Sequence, residues 1–139
     1  MKHAAGSPRP VHVLRLSPGE DVRPVLRAWV QQRGLKAAAI TSSVGSLTQA
    51  HLRYAGRADG IVTSGDLEVL SLSGTLSVDG MHLHLTVADR DGHTLGGHLL
   101  DGCLVRTTLE LTVQEIGGVR MTRVHDPASG YDELEPTPE

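Results

Sequence analysis

The chain has 139 residues, a formal net charge of −3 with neutral histidines, and no phenylalanine. This length fits one domain with an aliphatic core and excludes two ordinary domains. Lys and Arg are dispersed along the chain, and only Trp29, Tyr54 and Tyr131 are aromatic. Nucleic-acid binding by this chain alone is therefore disfavoured, because neither a basic patch nor a set of stacking rings is indicated.

The single cysteine, Cys103, excludes an internal disulfide. The amino terminus lacks the long apolar run of a signal peptide or a membrane span, so we expect a soluble cytoplasmic protein that does not associate with membranes. Cys103 fits a buried, inert thiol better than a metal ligand or a nucleophile, since no basic partner adjoins it in sequence.

Composition divides the chain into three parts. Residues 1–9 are polar and aperiodic and are expected to form a flexible lead. Residues 10–126 carry the periodic segments of a single domain. Residues 127–139 are rich in Pro, Gly and acidic side chains, which predicts a tail that is partly disordered or docked on a neighbouring subunit.

A short first strand, near residues 11–16, is followed by one predicted helix. Ser17 and Glu20 have the spacing of a capping box, with Pro18 at the first helical position, so the helix is predicted to begin there. Gly34 is predicted to end it as a C-terminal cap. An apolar stripe indicates that the helix lies across a sheet. Its members are Val22, Val25, Leu26, Trp29 and Val30.

Alternating or small apolar segments predict the strands of that sheet. Residues 37–44 and 47–54 are read as strands with a break at Gly45, and residues 67–78 as a strand with a bulge at Gly74 and Leu70 on its apolar face. Residues 107–114 form a clean amphipathic strand. Gly117 and Gly118 then predict a turn into a last strand, residues 119–124, that pairs as a hairpin.

Residues 81–100 form the most informative segment, a predicted histidine-bearing hairpin. His82 and His84 lie roughly 6.6 Å apart on one face of an extended strand, a spacing that suits two ligands of one metal ion. A two-residue turn would place His98 on the opposite, apolar face. A three-residue loop that ends at Gly92 instead pairs His84 with His98 and also aligns the leucines.

Other readings of these residues stay open. Three surface histidines alternating with core leucines would give the same pattern without a metal. Gly96 and Gly97 fit a bulge, a close approach of some other group to the backbone, or a seat for an anionic ligand or cofactor. Glu68 and Glu110 are weak candidates for catalytic or proton-transfer groups, although strand spacing does not place either near the histidines.

Several motifs together make the chain resemble the plants-and-prokaryotes conserved (PPC) domain, in its stand-alone bacterial form without an AT-hook. The resemblance covers nearly the whole chain. The motifs are Gly19–Asp21, Ser43–Leu47, Glu68–Gly74, His82–His84, Gly96–Leu99, Thr107–Glu110 and Ser129–Tyr131.

The resemblance implies an α+β fold, mainly an antiparallel sheet with one main helix packed on it, assembled as a homotrimer. It also implies that His82, His84 and His98 meet at a metal ion, with zinc as the first choice and another divalent transition metal as the alternative. Plant members bind DNA through separate AT-hooks, which this chain lacks, so the family's DNA-binding label does not carry over by itself.

Two classes of function follow from the sequence. One is a trimeric metal-binding protein whose metal keeps an open position for water, a small anion or another ligand, which leaves an enzyme possible in principle. The alternative is a regulatory or DNA-associated interaction module in which the metal is structural or absent. The residues alone do not identify a substrate or a partner.

Overall fold

The computed structural model describes all residues, 1–139, as eight strands and one helix. The α+β expectation, with one helix on a mainly antiparallel sheet, is confirmed. The elements are β1 (Ser7–Leu16), α1 (Val22–Arg33), β2 (Ala38–Arg53), β3 (Ile61–Ser77), β4 (Gly80–Ala88), β5 (Thr94–Leu99), β6 (Leu104–Gly117), β7 (Val119–Asp126) and β8 (Tyr131–Pro138). With 12 residues, α1 falls short of the length and apolarity that crossing a bilayer requires.

Six antiparallel strands form the main sheet in the order β1-β6-β2-β3-β4-β5. The end of β2 also pairs with β5, where Leu52 lies opposite Leu99 and Arg53 opposite His98. This extra pairing brings the four consecutive strands β2 to β5 together into a closed ring at one end of the sheet. The strands β7 and β8 form a separate two-stranded sheet.

One aliphatic core fills the space between α1 and the strands. Val22, Leu26 and Val30 of α1 are buried, as the helical spacing predicts, and they belong to the same cluster as the inward-facing strand residues. Leucine and valine provide most of the volume, because the chain has no phenylalanine. Cys103 is fully buried in this cluster, in agreement with its reading as a structural thiol.

The helix begins four residues later than the sequence predicts. Gly19 has a φ of +85°, a left-handed conformation that ends any helix passing through it. The Ser17 N–H donates to the Glu20 carboxylate at 2.6 Å, so half of the capping box forms, but it closes a turn ahead of the helix. Asp21 is the N-cap residue, and its carboxylate accepts hydrogen bonds from the N–H groups of Gly102 and Cys103. Gly34 ends the helix as predicted, with φ 62° and ψ 33°.

The strand β2 is continuous, so the predicted break at Gly45 is wrong. In β3 the pairing with β4 shifts register between Val69 and Ser71. This shift reverses which side chains point inward: Val69 and Leu72 are buried, whereas Leu70 is 53% exposed and does not join the apolar face. An irregularity of one residue is enough, because side chains alternate between faces.

Gly74 does not form the predicted bulge, since it pairs in register with Leu83 of β4. It allows a close approach instead. A Cβ at this position would lie 1.9 Å from the His82 carbonyl oxygen, and its φ of +144° disfavours any L side chain. Because Gly74 has no side chain, the backbone of β4 can lie directly against β3 at His82, the first of the three histidines.

The two chain ends are more ordered than the composition predicts. The strand β1 starts at Ser7, inside the expected flexible lead. The residues from Tyr131 to Pro138 pair with β7 as β8, whereas the sequence predicted a tail that is partly disordered or docked. The prediction that β7 pairs as a hairpin with the strand before it is also wrong. Both edges of β6 are already occupied by β1 and β2, so β7 pairs with the segment that follows it.

We predict that Gly74→Ala lowers the free energy of unfolding by at least about 3 kcal/mol, since backbone strain adds to a steric clash. Gly92→Ala is the matched control, because Gly92 also has a positive φ but nothing lies within 4 Å of its would-be Cβ. That control should lose about 1 kcal/mol. Urea unfolding followed by circular dichroism measures both values, and equal losses would contradict the close-approach role of Gly74.

Candidate metal centre

The hairpin turn between β4 and β5 sets the position of the third histidine. The Asp89 N–H donates to the His93 carbonyl oxygen at 2.9 Å, which leaves a three-residue loop between them. Gly92 ends that loop with a φ of +83°, as a type I turn followed by a G1 bulge requires. The loop length predicted from the sequence is therefore confirmed.

The register that follows from this turn separates two faces. His84 lies opposite His98, and Val87 opposite Leu95. On one face Leu83 and Val87 are buried in the core, whereas on the other face His84 is exposed and His98 half-buried. The burial of the leucine face thus orients the imidazoles toward the outside of the sheet.

The three imidazole rings converge on one region. The Nε2 atoms of His82 and His84 are 3.1 Å apart. The ring centres of His82 and His98 are separated by 5.1 Å and those of His84 and His98 by 5.8 Å. One nitrogen from each ring lies within 4.8 Å of the others. Two nitrogens bound to one tetrahedral zinc ion lie roughly 3.3 Å apart, so these rings need only small adjustments to share an ion.

The surroundings keep two of the rings neutral. Desolvation lowers the pKa of His98 to about 4, and the nearness of His82 and Arg53 adds to this effect, because a protonated His98 would repel Arg53 and a second protonated ring. Desolvation also lowers the pKa of His82, with further contributions from His84 and Arg123. Neutral imidazole carries the free lone pair that binds a metal, so the environment favours the ligand form of these rings.

A cavity of about 750 Å³ lies over the histidines. The ends of β2, β4 and β5 form one side of it. The hairpin β7–β8 forms another wall and contributes Arg123, Tyr131 and Glu133. A segment that the sequence assigned to a tail therefore encloses the histidine site.

Arg53 and Arg123 are cavity residues that sequence reasoning did not single out. Arg53 is the cross-strand partner of His98. Arg123 donates a hydrogen bond from Nη2 to Thr75 Oγ1 at 2.9 Å, and Thr75 in turn pairs with His82. No local pattern could have identified them, because Arg53 depends on the pairing of β2 with β5 and Arg123 on the position of the carboxyl-terminal hairpin.

Gly96 and Gly97 both line the cavity. They are paired in β5, Gly96 opposite Thr86 and Gly97 opposite Leu85, and no bulge forms there. A Cβ on Gly97 would lie 2.8 Å from the Arg53 carbonyl oxygen. Of the alternatives raised by the sequence, the close approach of a second backbone therefore accounts for Gly97, since β2 passes directly against it.

Glu68 and Glu110 do not line the cavity. Glu68 pairs with Ala88, which is four residues beyond His84, or about 13 Å along the strand. Glu110 pairs with Arg15 and Val44 on the exposed face of β6. The structure brings neither carboxylate to the histidines.

Two other groups could be considered as metal sites. Asp89, Asp91 and His93 lie close together in the hairpin turn. However, the Asp89 carboxylate already accepts hydrogen bonds from the N–H groups of Asp91 and His93, each at 2.9 Å, and so it stabilises the turn. Cys103 is buried away from the cavity, and desolvation raises the pKa of its thiol to about 11, which disfavours a metal-binding thiolate.

Comparison with known proteins identifies similar chains. The Plants and Prokaryotes Conserved (PCC) domain matches residues 3–117. A hypothetical protein from Salmonella cholerae-suis has a solved structure with 47% sequence identity and a TM-score of 0.95, covering 99% of both chains. A metal-containing protein from Archaeoglobus fulgidus is 26% identical with a TM-score of 0.82, covering 96% of this chain and 99% of that one.

A longer relative contains a similar segment. The bifunctional protein GlmU from Synechococcus sp. (strain JA-3-3Ab) is 46% identical over 138 residues, which covers 94% of this chain but 22% of that protein. The chain thus spans about a fifth of the length of the curated relatives it matches.

We predict that metal-free protein loses stability as the pH falls from about 6.5 to about 4. In this window the unfolded chain protonates His98 near the ordinary pKa of about 6.5, whereas the folded protein protonates it only near its lowered pKa of about 4. The unfolded state therefore binds more protons, and the free energy of unfolding decreases with decreasing pH.

Urea unfolding in the presence of a chelator, from neutral pH to about pH 4, measures this dependence. His98→Asn should flatten the curve relative to wild type, because it removes the group that the folded state keeps neutral. His125→Asn is the control, since that ring is exposed on β7. Identical curves for wild type and His98→Asn would show that His98 does not couple to folding.

Proposed function

The chain belongs to the Plants and Prokaryotes Conserved (PCC) domain family, and on that premise we propose that it binds one divalent metal ion, zinc, through His82, His84 and His98. The single observation that carries this proposal is the convergence of three imidazole nitrogens within 4.8 Å of one another. Three neutral nitrogen ligands leave one position of a tetrahedral ion open for an exogenous group.

The donor set supports zinc as the metal. Imidazole suits zinc and other late divalent transition metals, whereas calcium and magnesium prefer oxygen ligands. The metal-containing protein from A. fulgidus, which shares this fold, agrees with a metal-binding role in the family. An open position distinguishes the proposed site from a purely structural site, which is normally closed by four protein ligands.

A zinc ion held in this way supplies Lewis acidity to a group bound at the open position. The chain's own residues then define what can bind there. The hairpin β4–β5 fixes the imidazoles, and the wall formed by β7 and β8 limits access to the cavity. Neither Glu68 nor Glu110 lies beside the histidines. We therefore propose metal and ligand binding and assign no reaction.

We further propose that the chain forms a homotrimer. Apolar side chains on the outer face of the main sheet support this assembly, because exposed apolar patches mark interaction surfaces. Val13 is 79% exposed, Val44 58% and Leu70 53%. Val13 and Val44 pair with residues two apart on β6, Thr112 and Glu110, and therefore point to the same side.

The cytoplasm is the proposed location, because the one cysteine is buried and unpaired, as in proteins of reducing compartments. DNA binding is not part of the proposal. A net charge of −3 gives no general attraction to phosphate backbones.

We predict that protein purified from cells contains about one zinc ion per chain and that His84→Ala lowers this content at least tenfold. Loss of even an outer partner of a metal ligand costs about 10- to 100-fold in affinity, and loss of a ligand costs no less. Elemental analysis by mass spectrometry measures the content, with circular dichroism to verify the fold.

His93→Ala is the matched control, since His93 belongs to the other group of potential ligands. It should retain the metal. Metal should also dissociate on acidification to about pH 4, because protonated imidazole cannot bind it. A His84→Ala variant with the wild-type metal content would contradict the proposed site.

We predict that light scattering coupled to gel filtration gives a mass three times that of the 14.8 kDa chain. The double variant Val13→Glu with Val44→Glu should dissociate, because it places charges in the proposed apolar interface. Val62→Glu is the control, since Val62 is similarly exposed but lies at the start of β3. A monomeric wild-type protein would refute the assembly.

A further inference from the structure

The cavity over the histidines has an excess of free positive charge. Its volume, about 750 Å³, is that of a site for a small molecule. Four arginines and three acidic residues line it. Asp79 is bound by Arg120 at 3.1 Å, and Arg23 pairs with Asp101. The lining groups without an oppositely charged Arg, Asp or Glu partner are therefore three arginines and two carboxylates: Arg53, Arg57, Arg123, Asp132 and Glu133.

Arg53 is positioned beside the third histidine. It lies directly opposite His98 in the pairing of β2 with β5, so the two side chains leave the same face about 5 Å apart at Cβ. Its Cζ atom is 5.7 Å from the centre of the Tyr131 ring, which braces the guanidinium. No carboxylate lies within 4.0 Å of it, in contrast to Arg23, which is bound by Asp101 at 2.7 Å.

Arg123 approaches the same cavity from the opposite wall. It is half-buried, and its one side-chain hydrogen bond is donated to Thr75, next to His82. Burial lowers the pKa of Arg123, with the charge of Glu133 opposing, and no carboxylate lies within 4.0 Å of the guanidinium. A half-buried cation without a direct counter-ion costs free energy that a bound anion would offset.

We propose that the cavity binds a small organic carboxylate, held by the guanidinium groups of Arg53 and Arg123 while a second oxygen of the same molecule occupies the open metal position. This inference rests on the proposed metal site and adds the chemical class of its ligand. The metal ion and the two guanidiniums together form a strongly positive, partly enclosed site, in which electrostatic attraction to an anion is less screened than at an open surface.

The backbone around the two arginines favours a carboxylate over phosphate. The planar guanidinium fork itself matches the oxygens of either group. Phosphate is more typically cradled by consecutive backbone N–H groups at a helix N-terminus or in a glycine-rich nest. Gly96 and Gly97 do not offer such a nest, because both belong to the strand pairing of β5 with β4.

Isothermal titration of zinc-loaded protein with succinate tests the proposal. Arg53→Gln and Arg123→Gln should each weaken binding about ten- to a hundredfold, the usual effect of losing a charge-assisted hydrogen bond. Both variants should keep the wild-type zinc content. Arg106→Gln is the matched control, because Arg106 pairs with Asp66 and does not line the cavity. Succinamide, the uncharged analogue, should not bind.

A second measurement tests whether an oxygen of the ligand binds the metal ion. In cobalt-substituted protein, succinate should change the visible absorption spectrum, since an oxygen ligand enters the open position. The change should saturate with the affinity found by titration. An unchanged spectrum together with arginine-dependent binding would overturn the part of the proposal that places an oxygen on the metal.

Other outcomes separate this inference from the metal proposal. Equal affinity in wild type, Arg53→Gln and Arg123→Gln, with zinc present in all three, would overturn the carboxylate site and leave the metal site standing. Inorganic phosphate binding more tightly than succinate, with the same arginine dependence, would refute the carboxylate class. Failure of succinate, malate and pyruvate to bind the loaded wild type would also overturn it. Wild-type protein without metal would refute the metal proposal itself.

Discussion

The register of the hairpin between β4 and β5 is the constraint on which the site depends. Leu83 and Leu85 are buried, and each contributes on the order of 2 kcal/mol through that burial. A slip of one residue in the return strand β5 would turn His98 toward the leucine face and Leu99 toward solvent. Core formation and histidine convergence are thus the same event, because one strand presents the leucines on one face and the histidines on the other.

The site also requires that the sheet close through the pairing of β2 with β5. The pairing of β2 with β5 brings Arg53 next to His98 and depends on Gly97, whose lack of a side chain lets the backbone of β2 approach. The hairpin formed by β7 and β8 then covers the same region and adds Arg123. The cavity is consequently assembled from segments that are far apart in the sequence. Backbone pairing joins β2, β4 and β5, whereas the separate β7–β8 hairpin contacts the main sheet through side chains such as Arg123, which donates a hydrogen bond to Thr75.

Electrostatics connect the two proposals. Positive charge from Arg53 adds to desolvation in lowering the pKa of His98, and Arg123 does the same for His82. These charges assist burial in keeping the imidazoles neutral, and so available to a metal, and they also attract an anion to the space above them. A metal ion adds further positive charge, so an anionic ligand would relieve repulsion that the folded protein otherwise retains.

The sequence by itself determined the elements whose causes are local: the amphipathic helix with its Gly34 cap, the hairpin register through Gly92, and the shared face of His82 and His84. Two of its failures arise where pairing is non-local: the inward phase of β3 changed at a bulge, and the segment from Tyr131 became a strand that pairs with β7, because both edges of β6 are occupied. The late start of the helix has a local cause, the left-handed conformation of Gly19. Only the tertiary structure placed Arg53 and Arg123 beside the histidines, because strand closure and hairpin docking depend on contacts between distant segments that no local periodicity encodes.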